Sequence, residues 1–249
     1  MGSEMCIRDR VGLGGCSEGD EATINIEAPD NSVVDNSDNS TTNNNSGGGD
    51  DSGTDSGGGT EPEAECPAGT TEISSGMCAL PATISSDVTL TADFEYLMEG
   101  RVTVGNGNGQ LTTNNDGTLP DGSAVQNVTL TIEAGVEIKG KQDTFANLII
   151  TRGSKIMAMG TRSKPIIMSS EDAGYSGAGE WGGLIIHGYA PHNECEEGGS
   201  YCDIDSEGES GFAGGYDPDD SSGVLNYVVV AEGGYEFSTG NEINGISLI

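Results

Sequence analysis

The sequence has few basic residues. Of its 249 residues only nine are lysine or arginine, and none of these lies between residues 11 and 100. Aspartate and glutamate together number 41, so the formal net charge is −32. A surface of this sign repels the phosphates of nucleic acids and anionic lipid headgroups, and we expect neither as a partner. Divalent cations, cationic surfaces and neutral glycans remain compatible with this charge.

Aromatic residues and long apolar runs are also scarce. Aromatic residues make up 5% of the chain, whereas 41 residues are glycine, which is typical of a β protein with many turns and not of a helical bundle. No apolar run reaches the ~18 residues that a membrane-spanning helix needs. His187 and His192 have no nucleophile near them in the sequence, and we interpret both as surface or loop residues.

Short apolar segments rich in β-branched residues recur in the C-terminal half. They occupy residues 129–132, 148–151, 166–169, 184–187, 227–230 and 246–249, with glycine-rich corners between them. The first four are spaced 18 or 19 residues apart, and a constant period of about 20 is typical of a chain that stacks each strand on the previous one. The sequence therefore predicts an all-β fold, a parallel β-helix (solenoid) over residues 125–249. Positions 130, 149, 167, 185, 228 and 248 are expected to be in register.

The same region carries motifs that resemble a known family. They lie at residues 130–136, 152–161, 164–170 and 181–188. In this order they resemble successive coils of bacterial right-handed parallel β-helix proteins of the pectate-lyase-like superfamily and, more narrowly, surface lipoproteins of marine bacteria. The resemblance covers about residues 97–249. It implies a right-handed coil but no particular activity, because the superfamily includes lyases, hydrolases, adhesins and inert stalks.

The N-terminal part differs in composition. We treat residues 1–10 as an artefact, because they have neither an apolar core nor a period. Within residues 11–65, the segment Leu13-Gly14-Gly15-Cys16 resembles the cleavage box of a bacterial lipoprotein signal, which implies that Cys16 receives lipid. The acidic Gly-, Ser- and Asn-rich linker that follows has too few apolar residues to fold, and predicts a disordered tether before the β-helix. A chance match and a tail that serves only solubility are the alternatives.

Four further cysteines form two local pairs. Cys66 and Cys78, and Cys195 and Cys202, each bracket a short loop rich in turn residues, so we predict two local disulfides. A zinc site is the alternative, but these spacings do not fit the usual Cys-x2-4-Cys pattern. Disulfides indicate a compartment outside the cytoplasm. With the lipoprotein box, they predict the outer membrane or cell surface of a Gram-negative bacterium, with the lipid anchor as the only membrane contact.

Residues 66–124 are interpreted as a disulfide-closed segment followed by an N-terminal β region. The sequence ends within an apolar strand pattern at 246–249. A β-helix that stopped there would expose an unpaired edge and its core cross-section. We therefore expect a fragment, truncated at both ends.

A long acidic insertion between the strands near Trp181 and Val224 is the best candidate for a ligand site. Asp203, Asp205 and Glu207 alternate and precede a glycine, like the start of a calcium loop, although the closing glutamate of such a loop is missing. The insertion therefore predicts either a calcium site or a solvated acidic loop. Trp181 is expected to pack beneath it.

No catalytic residue is assigned. Lyases with this fold use arginine or lysine beside acidic calcium ligands, and Arg152 is expected to lie on the surface away from such ligands. Hydrolases need carboxylates on adjacent coils, where the predicted strands offer mainly apolar residues, threonine and serine. We predict a non-enzymatic cell-surface lipoprotein that presents loops to glycans, surfaces or partner proteins. The alternative is a carbohydrate-active enzyme, a polysaccharide lyase or hydrolase, whose catalytic coils lie outside this sequence.

Overall fold

The computed structural model describes residues 64–112, 117–172, 174–175, 177–195, 202–238 and 241–249. This part of the chain consists of strands, turns and one short 3-10 segment, η1 (Glu207–Glu209). The strands are β1 (Thr71–Ser74), β2 (Met77–Ala79), β3 (Thr83–Ile84), β4 (Val88–Leu90), β5 (Glu95–Met98), β6 (Val102–Val104), β7 (Thr129–Ile132), β8 (Glu137–Gly140), β9 (Asn147–Ile150), β10 (Lys155–Met159), β11 (Ile166–Ser170), β12 (Gly183–Ile186), β13 (Ile204–Ser206), β14 (Gly211–Ala213), β15 (Gly223–Asn226), β16 (Val228–Val230), β17 (Glu236–Ser238), β18 (Asn241–Glu242) and β19 (Ile246–Leu248). None of the described residues forms a helix with the length and hydropathy of a membrane span.

Three sheets wind around one core. Sheet A has the order β1-β2-β5-β8-β11-β16, sheet B the order β19-β12-β9-β6-β3, and sheet C the order β15-β10-β7-β4. The β1–β2 pair is antiparallel, and the other pairs within these sheets are parallel. The chain visits sheets A, B and C in turn, for example through β8, β9 and β10. The expected parallel β-helix is therefore present, with three strands in each complete coil.

The core consists of side chains that point inward from successive rungs. Alternate residues of a strand face opposite sides of the sheet, so one set from each sheet faces the axis. Tyr96, Ile138 and Met168 stack in sheet A, and all three are fully buried. Trp181 belongs to this core and donates its indole N–H to the carbonyl of Ala231 over 2.7 Å. Its expected position beneath the acidic insertion is wrong.

The predicted strand segments exist, but the predicted register is wrong. Position 130 lies in sheet C, positions 167 and 228 in sheet A, and positions 149, 185 and 248 in sheet B. In sheet B, Ile149 pairs with Ile185, and Ile185 in turn pairs with Ser247. The spacing near 19 joins strands on different faces of a coil. It does not measure the length of the coil.

Parallel stacking also begins before the predicted start at residue 125. The first coil contains β2, β3 and β4, and its β2 already pairs with β5. The paired residues Cys78 and Tyr96 are 18 positions apart, whereas Tyr96 and Ile138 are 42 apart. Because the corner loops vary so much in length, the early coils show no constant period.

Both predicted disulfides are present. Cys66 is bonded to Cys78 at the start of the first coil, and Cys195 is bonded to Cys202 within the acidic insertion. Residues 1–63, which include the predicted lipidation site Cys16 and most of the predicted tether, lie outside the described residues.

Candidate functional site

The acidic insertion connects β12 to β15 and folds back onto the β-helix. Its described residues include the antiparallel hairpin β13–β14. This hairpin lies against the loop that follows β6, where the amide of Phe212 donates to the carbonyl of Asn108 over 2.8 Å. The Asn108 side chain donates to the carbonyl of Ser210 over 3.1 Å. The insertion is thus hydrogen-bonded to a coil that precedes it by about 100 residues in the chain.

Arg152 is the central contact between the insertion and the β-helix. Its side chain has no exposed area, so the predicted surface position is wrong. The guanidinium donates to the carbonyl oxygens of Gly107, Gly109 and Gly214 over 2.8, 2.6 and 3.1 Å. It also forms a 2.6 Å ion pair with Asp203. A guanidinium enclosed in this way cannot reach a ligand, so it acts as a structural clamp.

Asp203 has its charge compensated by this clamp. Its Oδ1 accepts from Arg152, and its Oδ2 accepts from the amide of Leu111 over 2.9 Å. The Asp203 side chain is 4% exposed, whereas Asp205 is exposed to solvent. Among the described residues, no group of three or more His, Cys, Asp or Glu residues could hold a metal ion. Arg152 therefore supplies the positive charge that calcium would bring to Asp203. A calcium site that includes Asp205 and Glu207 stays a prediction.

His187 forms a second buried contact with the insertion. It is fully buried, so its predicted surface or loop exposure is wrong. Its Nε2 lies 3.1 Å from the hydroxyl of Ser206 and 3.4 Å from that of Ser210. Burial and, to a smaller extent, the charge of Arg152 lower its pKa from 6.5 to about 4. The imidazole is therefore neutral at pH 7.

The pairing of Ser206 with His187 does not form an activated nucleophile. The Ser206 hydroxyl donates to the carbonyl of Gly211, so its proton is directed away from the imidazole. Ser206 is also 8% exposed. Nucleophilic catalysis needs a hydroxyl whose proton is directed at a general base. The contact joins the insertion to the strand end at β12 and has a structural role.

A groove of about 480 Å³ lies beside the insertion, along β12 and the edge strand β19 of sheet B. It combines aliphatic side chains of β12 and β19 with polar side chains of the insertion and of the segment before β19. The lining residues are Ile185, His192, Glu194, Ile204, Asp205, Ser206, Ile243, Asn244, Ile246, Ser247, Leu248 and Ile249. Ligand sites in proteins combine apolar surface with polar groups that fix the orientation of the ligand.

The groove contains two of the candidate residues from the sequence. His192 is partly buried, and its Nδ1 accepts from the amide of Glu194 over 3.3 Å. Asp205, a proposed calcium ligand, lines the groove from β13. Asp203 does not line it, because its carboxylate turns toward Arg152.

A second polar surface lies on the outer face of sheet A. Glu95 of β5 and Glu137 of β8 are direct neighbours on adjacent coils. The ammonium group of Lys139 lies 2.8 Å from the Glu95 carboxylate and 4.0 Å from that of Glu137. The hydrogen bond that Lys139 donates to the Glu95 carboxylate raises the pKa of Lys139. An open cleft of about 490 Å³ contains Asp93, Glu95 and Glu137.

The sequence interpretation missed this carboxylate pair. Glu95 lies before the predicted start of the solenoid, and 42 positions separate it from Glu137. The alternation of polar and apolar residues in β8 is the signal that Glu137 faces outward. No sequence signal shows that Glu95 lies directly beside it.

A family model provides the match to known proteins. The model of the pectate-lyase-like beta helix domain matches residues 111–249, which is more than half of the chain. The matched region contains β7 to β19 and the whole acidic insertion. Neither the curated proteins nor the solved structures gave a match.

Proposed function

We propose that this chain, which belongs to the pectate-lyase-like β-helix family, is a non-enzymatic carbohydrate-binding module of the bacterial cell surface. A domain of this family is compatible with carbohydrate binding or with carbohydrate chemistry. The observation that carries the proposal is the groove beside the insertion, because its lining combines aliphatic surface with hydrogen-bonding groups. Sugars offer both hydroxyl groups and apolar C–H faces to such a lining.

The rigid attachment of the insertion supports binding. Arg152 and His187 fix the insertion to the β-helix from inside, and the Cys195–Cys202 disulfide closes its first loop. A preorganised site loses less conformational entropy when a ligand binds. The same contacts argue against catalysis by Arg152 or His187, because both side chains are fully buried.

The cell-surface location forms part of the proposal. Disulfides persist in oxidising compartments, and the two in this chain support an extracytoplasmic location. We propose that Cys16 carries lipid and that the acidic linker up to residue 65 tethers a right-handed β-helix to the outer membrane. Labelling of cells with a radioactive fatty acid tests this step, because Cys16→Ser should abolish the label.

Titration calorimetry with short oligosaccharides tests the binding proposal. We expect saturable binding by the wild type and no release of products. Asn244→Trp should abolish binding, because a large side chain at this exposed position of the lining fills the groove. Thr89→Trp is the matched control, since Thr89 is exposed on sheet C. Equal binding by Asn244→Trp and the wild type would rule out this groove.

The second candidate function is glycoside hydrolysis at Glu95 and Glu137. Since Lys139 lies close to both carboxylates, their nearest oxygens are within about 7 Å of each other, a separation found in glycoside hydrolases. Lys139 argues against this function, because its ammonium group already forms ion pairs with both carboxylates. Release of reducing sugar by the wild type, lost in Glu95→Gln and Glu137→Gln but kept in Glu99→Gln, would establish hydrolysis.

A further inference from the structure

We infer that the groove beside the insertion selects cationic saccharides, polymers of amino sugars, and rejects polyuronates. This inference rests on the proposed function, because it names the ligand class of the same groove. It concerns the charges that the lining presents, in particular those of Glu194 and Asp205.

The charges of the groove have one sign. Glu194 and Asp205 both line it, and both are exposed. None of the lining residues in the described part of the chain is lysine or arginine. A uronate chain brings one carboxylate per sugar, so it would place like charges against these two residues. Two like charges about 4 Å apart repel each other by ~1 kcal/mol in water and by more beside a protein surface.

The two groove carboxylates differ from the buried carboxylate nearby. Asp203 is compensated by Arg152 at 2.6 Å. Within the described residues, neither Glu194 nor Asp205 forms an ion pair. They can therefore accept charge-assisted hydrogen bonds from a ligand, and an ammonium group offers three donors.

The carboxylates of Glu194 and Asp205 lie on separate segments of the insertion. Asp205 lies on β13, which pairs with β14. Glu194 is next to Cys195, whose disulfide joins it to Cys202 shortly before β13. The lining also contains the neutral side chains of Asn244 and Ser247, which can bond sugar hydroxyls. The groove thus offers acceptors for amino groups together with partners for hydroxyl groups.

The test compares three tetrasaccharides by titration calorimetry on the intact chain, at a pH of about 6, where glucosamine carries positive charge. The probes are the tetramers of glucosamine, glucose and galacturonate. We expect the glucosamine tetramer to bind about tenfold more tightly than the glucose tetramer, as ~1.4 kcal/mol of charge–charge attraction implies, and the galacturonate tetramer not to bind.

Charge-neutralising variants separate local selectivity from the effect of net charge. Glu194→Gln and Asp205→Asn should each lower affinity for the glucosamine tetramer about threefold to tenfold and leave affinity for the glucose tetramer unchanged. Asp217→Asn is the matched control, because it removes one negative charge from an acidic turn outside the lining. It should leave both affinities unchanged.

The possible outcomes distinguish the two proposals. If the glucose or galacturonate tetramer binds as tightly as the glucosamine tetramer, the inferred selectivity for cationic saccharides is overturned, whereas the proposed binding function stands. If Asp217→Asn weakens glucosamine binding as much as Glu194→Gln does, the preference comes from net charge and the inference is overturned. If no tetramer binds, both the binding function and the inference fail.

Discussion

The coils and the insertion of this protein are held in place by different kinds of contact. In the coils, apolar residues such as Ile138 and Leu148 stack on their equivalents in neighbouring rungs and are fully buried. Between the insertion and the coils, Asp203 forms a buried ion pair with Arg152, and two serine hydroxyls contact His187. Hydrophobic contacts tolerate changes in shape if volume is kept, whereas a buried polar contact fails when one partner is lost.

This difference shows how the fold keeps a polar insertion on an apolar scaffold. An acidic loop buries little apolar surface and cannot be fixed by hydrophobic contacts alone. A few polar contacts with defined directions fix it, and each of them is hard to replace. Substitutions should therefore have larger effects in the insertion than conservative changes in the coils have.

Removal of Arg152 should have the largest effect. Arg152→Met leaves the Asp203 carboxylate buried and without its charge partner, so we expect the free energy of unfolding to fall by about 3–5 kcal/mol. Denaturation in urea measures this change. Arg162→Met is the matched control, since Arg162 is exposed, and it should change stability by less than ~0.5 kcal/mol.

Conservative variants sharpen the same comparison. Arg152→Lys should still be strongly destabilising, because an ammonium group cannot reproduce the fork of the guanidinium. Ile138→Leu in the core should cost less than ~1.5 kcal/mol. Equal losses in the two variants would contradict the distinction between coils and insertion.

His187 should make stability depend on pH. Its pKa in the folded protein, about 4, is below the ordinary 6.5, so the unfolded chain binds a proton first as the pH falls. The contribution is complete above pH ~6.5 and decreases as the pH falls toward ~4, by about 3 kcal/mol in all. Unfolding free energies of the wild type and His187→Gln at several pH values measure the difference. Parallel profiles would show that His187 is not buried as a neutral group.

The disulfide of the insertion should have a smaller effect. Cys195 and Cys202 are separated by 7 positions, and closure of so short a loop contributes about 2.5 kcal/mol in the chain-entropy model. Cys195→Ser/Cys202→Ser should lower the unfolding free energy by about that amount or less. The matched control is the double variant Cys66→Ser/Cys78→Ser, which removes the disulfide at the start of the first coil and should leave saccharide binding unchanged. A loss of saccharide binding in both double variants would show that the loss does not come from the loop of the insertion.

The ion pair on sheet A should have the smallest effect. The Lys139 side chain is 25% exposed and that of Glu95 is 45% exposed, so solvent screens their attraction. Lys139→Met should change the unfolding free energy by less than ~1 kcal/mol, and added salt should reduce the difference further. A loss as large as that of Arg152→Met would contradict the screened, exposed character of this pair.

The sequence predicted the strands and the type of fold better than it predicted their arrangement. The apolar pattern identified β7, β9, β11, β12, β16 and β19, because an inward-facing residue must be apolar on any face of the coil. The pattern is the same on all three faces, so spacing alone could not assign Ile149 and Ile185 to one sheet and Ile167 to another. Corner loops of unequal length removed the period that would have shown three strands per coil.

The candidate site was predicted only in part. The acidic insertion was identified from its composition, and Asp205 does line the groove. The burial of Arg152 and His187 was missed, because their partners lie far away in sequence. Asp203 follows Arg152 by 51 positions, and Ser206 follows His187 by 19. A charged residue at a coil corner has the same local sequence whether it faces solvent or an insertion that folds over it.

Incubation of the chain with glucosamine and glucose oligomers, with binding and product release measured in one sample, tests the central claim most directly. That claim is that the insertion presents a rigid groove that binds saccharides without chemical change. It predicts saturable binding of the oligomers, abolished by Asn244→Trp, and no new reducing ends after prolonged incubation. Product release by the wild type that is lost in Glu95→Gln, or no binding at all, would contradict it.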